Sequence, residues 1–151
     1  MLAVRWQEIG ELDCSIARTL SVIGDRWTLL VLRDCFLGAH RFDQFEASLG
    51  LSPHLLSTRL AKLVEHDILA RRLYQERPQR YEYKLTEKGR DLYPLIISLL
   101  RWGDRWTDYE NGPPVELVHR VCGQHTLPRF TCSECGEPIE ARQMTAKVHV
   151  R

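Results

Sequence analysis

Long apolar runs are missing from these 151 residues: none approaches the roughly 20 that a bilayer crossing takes. The opening stretch, MLAVRWQEIGELD, carries acids and no apolar core, so no secretion signal is expected and the cytoplasm is the expected compartment. A surplus of one charge sign is missing too. Twenty-one Lys and Arg face 20 Asp and Glu, and the resulting +1 says nothing by itself about a nucleic-acid or membrane partner. The parts of an enzyme are equally scarce: there is no glycine-rich phosphate loop, no nucleophile elbow, and no carboxylate pair with an obvious cleft. An enzymatic reading therefore fails. Five cysteines are an odd number, which argues against a scaffold held by disulfides alone, and thiols in a reducing cytosol stay free.

What is present is helical periodicity followed by strand alternation. CSIARTLSVI (14–23) has apolar residues at helical spacing and stops at Gly24. Asp25 caps a second helix, DRWTLLVLRDCFL, in which Trp27, Leu30, Val31 and Cys35 share a face. A short third helix, RFDQFEASLG, ends at Gly50. Ser52 then caps a fourth, with Pro53 at its first position and Leu56, Leu60 and Leu63 or Val64 as its buried stripe. Two short helices joined by the tight turn Gly50-Leu51-Ser52, the second showing small polar and basic residues in its first turns, make a helix-turn-helix.

ILARRLY and YEYKL alternate as strands around the polar loop QERPQR, a hairpin placed as a wing. Thr86 caps a final helix expected to run to about Tyr109, where Pro94 either bends it or sits in its first turns. Leu92, Ile96, Leu99 and Trp106 form one apolar stripe of that helix, and Tyr93, Ile97, Leu100 and Trp102 cover much of the rest. One small domain cannot bury so much, so a second copy is expected to cover it. Asn111-Gly112-Pro113-Pro114 stops the helix, dividing the chain into 1–110 and a β-rich extension, 111–151, with strands read at VELVHRVC, LPRFTC, IEARQM and AKVHV. The fold class is thus α+β, mainly α: a winged helix-turn-helix with a long C-terminal dimerisation helix and a small β-rich arm.

Charge is unevenly spread. Between Ser52 and Arg90 nine Lys and Arg face five Asp and Glu, nine minus five leaving a local surplus of four, which fits a phosphate-docking face and equally a solvated, salt-laced surface.

The sequence resembles the HxlR-type regulators, a branch of the MarR-like winged-helix proteins. The blocks that carry the likeness are CSIARTLSVIGDRWTLLVLRD (14–34), RFDQFEASLGLSPHLLSTRLAKLVEHDIL (41–69), YQERPQRYEYKLTEKGRDL (74–92) and WGDRW (102–106), some two thirds of the chain. The resemblance implies a winged-helix fold, a homodimer through terminal helices and a palindromic operator. It departs at Ser15, where the family often has proline after the cysteine.

In the major groove, His54, Ser57, Thr58, Arg59 and Lys62 are the expected contacts; Arg77, Gln79 and Arg80 at the wing tip would reach the minor groove or its phosphates. The competing reading pairs Arg59 or Lys62 with Glu65 along the helix. His119-x2-Cys122 and Cys132-x2-Cys135 compose a Cys3His set suited to one zinc ion per chain. Cys122-x2-His125 is an alternative use of the same cysteine, and free thiols or a Cys132–Cys135 or Cys122–Cys135 disulfide are the competing states. Cys14, at a helix start, is a candidate redox sensor or else a small buried apolar residue, and Cys35 belongs to the core. A small-molecule effector between the helix-turn-helix and the dimer helices is compatible with regulation. A second class of function is a protein-interaction module that uses the winged helix as scaffold and the zinc arm as contact, although a scaffold has no need of Arg59, Lys62, Arg77 and Arg80 together.

Overall fold

The computed structural model describes residues 6–147, and these fall into two compact units, one reaching Leu99 and the other starting at Leu100. The division lies inside a helix. In the first unit a 3-10 turn, Trp6–Glu11, precedes α1 (Ser15–Ile23), α2 (Arg26–Phe36), α3 (Phe42–Leu49) and α4 (Pro53–Glu65). The antiparallel hairpin β1 (Leu69–Glu76) and β2 (Gln79–Leu85) follows, then the single turn α5 (Glu87–Arg90) and α6 (Tyr93–Trp106). This is a winged helix-turn-helix, mainly α.

The helix starts are where local chemistry puts them. Asp25 Oδ1 accepts from the backbone N–H groups of Trp27 and Thr28 at 3.0 and 3.1 Å, and Ser52 Oγ accepts from Leu55 N at 3.3 Å. The core is one cluster in which Ile23, Val31, Leu32, Phe45, Leu56, Leu60, Leu63 and Leu69 are fully enclosed. All three stripe leucines of α4 are therefore buried, so the helix can present only its opposite side. The α2 face differs from expectation: Thr28, Leu32 and Asp34 are buried beside Val31, while Trp27, Leu30 and Cys35 are half-buried. This helix is wrapped on more than one side, which a single-face reading cannot capture.

The wing is tighter than its sequence suggests. Pairing runs from Leu69↔Leu85 to Glu76↔Gln79, with a bulge between Leu73 and Gln75, so only Arg77 and Pro78 remain as the turn. Its base is fastened on both sides. Tyr83 N–H donates to His40 O at 2.7 Å, and Arg41 forms an isolated β-bridge with Glu82, so the start of α3 is fastened to β2. Thr86 Oγ1 accepts from Gly89 N–H at 3.0 Å and donates to Asp67 O at 2.6 Å, while Lys88 Nζ donates to His66 O at 2.8 Å. At Gly89 a Cβ would lie 2.2 Å from Ile68 O, so only glycine lets α5 close onto the end of α4.

The single final helix is in fact two. α5 ends at Arg90, and α6 restarts at Tyr93 with Pro94 in its first turn, where a missing N–H leaves no bond unmade. It stops at Trp106, short of Tyr109. Ile96 and Ile97 are its buried residues, and the exposed apolar stripe is Leu95, Leu99, Trp102 and Trp106.

The second unit carries less strand than expected: β3 (Val118–His119) pairs with β4 (Gln124–His125), and an isolated bridge joins Thr131 to Pro138. IEARQM holds a 3-10 turn at Ala141–Gln143, and the AKVHV stretch lies mostly outside the described residues. Among the described residues, no helix is long and apolar enough to cross a membrane.

Candidate nucleic-acid interface

With Leu56, Leu60 and Leu63 inside, the solvent side of α4 is the stripe His54, Ser57, Thr58, Ala61 and Glu65, spaced by three and four residues. Three of the five residues expected in the major groove are on it. The other two are not. Arg59 is only 23% exposed at its side chain, and its Nε lies 3.1 Å from Asp25 Oδ1, the oxygen that also caps α2. Lys62 is half-buried and its Nζ donates to Ser21 O at 2.9 Å. Arg59 reaches inward to Asp25 in the α1–α2 turn, and Lys62 to Ser21 in the last turn of α1. Glu65 is not their partner. The partners lie far along the chain, which is why helical spacing could not point to them.

On the wing, Arg77, Gln79 and Arg80 are exposed, and among the described residues neither arginine takes part in an ion pair. Gln79 Oε1 accepts from the Tyr81 hydroxyl at 3.2 Å, which orients the amide. Arg80 edges a groove of about 430 Å³ between α3 and the wing, shared with Phe42, Asp43, Tyr74, Tyr81 and Tyr83. Arg41 stacks over Tyr74 and Arg71 over Tyr81, with centroid distances of 4.7 and 4.3 Å. The aromatic rings hold two guanidinium groups against the hairpin, a feature that composition alone conceals. Positive charge is thus concentrated on the hairpin, and the helix beside it is neutral over its exposed first turns.

The cysteines of the second unit sit on two turns of one design. In each, a donor residue is followed three positions later by Cys and then by Gly: His119-Arg120-Val121-Cys122-Gly123 and Cys132-Ser133-Glu134-Cys135-Gly136. Gly123 has φ +70° and its N–H donates to His119 O at 2.7 Å; Gly136 has φ +75° and donates to Cys132 O at 2.9 Å. Each turn brings two donors together, and Cys122 Sγ lies 3.4 Å from His119 Nδ1. The four do not converge: among the described residues no three His, Cys, Asp or Glu side chains are placed to hold a metal. The expected Cys3His set stands here as two pairs of donors, His119 with Cys122 and Cys132 with Cys135. Among the described residues, no strand pairing joins the two turns. His125 faces Glu116 at 3.3 Å, and all five cysteines are free thiols.

Two of these thiols have distinct chemistry. The Cys135 and Glu134 backbone N–H groups, with the Cys135 thiol, hold the Cys132 pKa below the ordinary range, whereas burial pushes Cys35 up to about 12. A lowered pKa means more thiolate at a given pH, so Cys132 is expected to alkylate faster than Cys35 in the native protein. Cys35 should stay unmodified until denaturant is added. Peptide mass spectrometry after a brief iodoacetamide pulse checks this order, and equal labelling of the two would refute it. Cys14 is exposed at the residue preceding α1, with no capping bond from its side chain.

Comparisons with known proteins agree with this geometry. The profile of the HxlR-like helix-turn-helix family matches residues 22–111. An HTH-type transcriptional regulator of Mycobacterium tuberculosis is 47% identical over 131 residues, covering 87% of this chain and 83% of the relative. Among solved structures, PA1607, described as a candidate transcription factor, matches with TM-score 0.79 at 37% identity, over 91% of this chain and 96% of its own. HypR, described as a redox regulator in its oxidised form, matches with TM-score 0.58 at 31% identity, over 64% of this chain and 100% of its own. Helix-turn-helix, wing and relatives agree on a regulator and not an enzyme: the chain belongs to the HxlR-like helix-turn-helix family of DNA-binding transcriptional regulators.

Proposed function

We propose that the chain works as a homodimer that binds a palindromic operator through two copies of α4 and two wings. The observation that carries this is the exposed apolar stripe of α6. Leu95, Leu99, Trp102 and Trp106 follow one another by four, three and four residues, the spacing of a helix–helix seam, and Trp102 is 69% exposed. Beside it lies an apolar groove of about 310 Å³ lined by Ile16, Leu20, Leu29, Leu95 and Leu99. A second copy of the same surface fits such a stripe, because an isologous interface needs one self-complementary patch. The arrangement calls for a symmetric operator with half-sites about one or two helical turns apart. Sequencing the genomic fragments that the purified protein retains tests this reading: fragments with inverted half-sites support it, and random fragments defeat it.

The wing supplies the salt-sensitive part of binding. Replacing Arg80 with Ala is expected to weaken binding to all sequences alike. It should also reduce the log-affinity against log-salt slope by about 1, because one phosphate keeps its counterion when no guanidinium displaces it. Titrations across salt concentrations check this, and an unchanged slope would show that Arg80 touches no phosphate. A thiol-responsive mode is favoured by one observation, the exposed Cys14 immediately before α1, together with the description of HypR as a redox regulator. A small-molecule effector has a separate groove of about 270 Å³ available between Thr19, Val22, Ile68, Lys88 and Leu92.

A further inference from the structure

The exposed side of α4 restricts which base pair it can read, and this inference rests on the DNA-binding reading above. Guanine shows two acceptors in the major groove, N7 and O6, and its usual partners are Arg and Lys. The two cations of α4 are tied to Asp25 and to the Ser21 carbonyl, so the helix keeps neither for this purpose. The central residue of the solvent stripe is Thr58, whose hydroxyl donates its proton to His54 O at 2.9 Å. That bond uses the one donor of the side chain, leaving oxygen lone pairs and a methyl group to face outward. One turn further on, Ala61 adds a second methyl to the same stripe.

A lone-pair acceptor beside an apolar methyl patch fits one kind of base pair. Adenine offers the N6 amino donor and its partner thymine the 5-methyl group, both on the major-groove edge. Guanine offers nothing to an acceptor there, and cytosine has an amino donor but no methyl. We propose that each operator half-site places an A·T pair under Thr58 and Ala61, with the thymine methyl packed against the two side-chain methyls, and that Thr58 is a specificity-determining residue. His54 and Ser57, which keep donors, remain free to read other bases.

The test uses the full chain and two probes. Duplexes selected from a random library are resynthesised with deoxyuridine in place of each thymine in turn, which removes the 5-methyl group and nothing else. At one thymine per half-site, deoxyuridine is expected to weaken binding about fourfold, the value of one buried methyl, and roughly fifteenfold when both half-sites are changed. In Thr58→Ser, which keeps the hydroxyl and loses the methyl, that deoxyuridine penalty should shrink to the part that Ala61 alone supports. Selected sites whose affinity is indifferent to every thymine methyl overturn the inference while leaving the DNA-binding function standing. Equal penalties in wild type and Thr58→Ser overturn the assignment to Thr58. Failure to select any sequence overturns the proposed function and this inference together. The wild-type scan is decisive for the methyl by itself, so the result does not hang on how the variant folds.

Discussion

Replacing Leu95 and Leu99 together with glutamate yields a folded monomer that binds a single half-site and loses on the order of a thousandfold in affinity for the full operator. Both side chains are exposed in the single chain, at 38% and 47%, so charge there leaves the core of Ile23, Phe45 and Leu60 untouched. Circular dichroism and melting should therefore resemble the parent domain. The seam is another matter. Four carboxylates facing one another across an apolar interface would each lose water without gaining a partner, and a dimer cannot bear that. Operator affinity then collapses because the second half-site no longer benefits from the first, a linkage worth about 100- to 10,000-fold. Light scattering gives the mass and a titration against one and two half-sites gives the affinities. A double variant that stays dimeric would show that α6 is not the seam.

The second large effect concerns stability. Asp25 joins two tasks: its Oδ1 caps α2 and lies against the Arg59 guanidinium. Asp25→Ala removes a cap worth about 1 kcal/mol and leaves a largely enclosed guanidinium without its counterion, for a combined loss of about 2–3 kcal/mol. For a domain of this size that lowers the melting temperature by about 10–20 °C. Asp25→Asn keeps the cap and loses only the charge, so it should fall between. Arg59→Ala is expected to lower melting as well while leaving base preference as it was. If it changes the selected sequence and spares the melting temperature, Arg59 is a base reader after all.

How far the sequence could be read depended on how local each interaction is. Asp25, Ser52 and Thr86 act within three residues of themselves, and their caps were readable at once. The stripe Leu56, Leu60 and Leu63 was readable for the same reason: burial on one side of α4 follows from a repeat in the chain. The inward contacts of Arg59 and Lys62 were not readable, because their partners Asp25 and Ser21 lie far along the chain and only tertiary packing brings them to α4. The break at residues 91–92 was hidden by the continuous apolar pattern on either side of it, although Pro94 marked the place. The two Cys-Gly turns were visible as spacings. Whether two such turns meet depends on the path between them, and a spacing holds no information about that path.

Each wing is bolted to its reading helix. Thr86 ties α5 to the α4–β1 turn, Lys88 adds a strap to His66 O, and Gly89 closes the gap to a separation no side chain could enter. His40 grips the opposite strand. In the proposed dimer this makes each protomer the hardened tip of a pair of callipers. Because these bonds join wing and α4 within one protomer, a displacement of either would carry the other with it. In such a dimer the span between the tips would be set where the two copies meet. A change in that span would be a mismatch of pitch, felt at both half-sites at once.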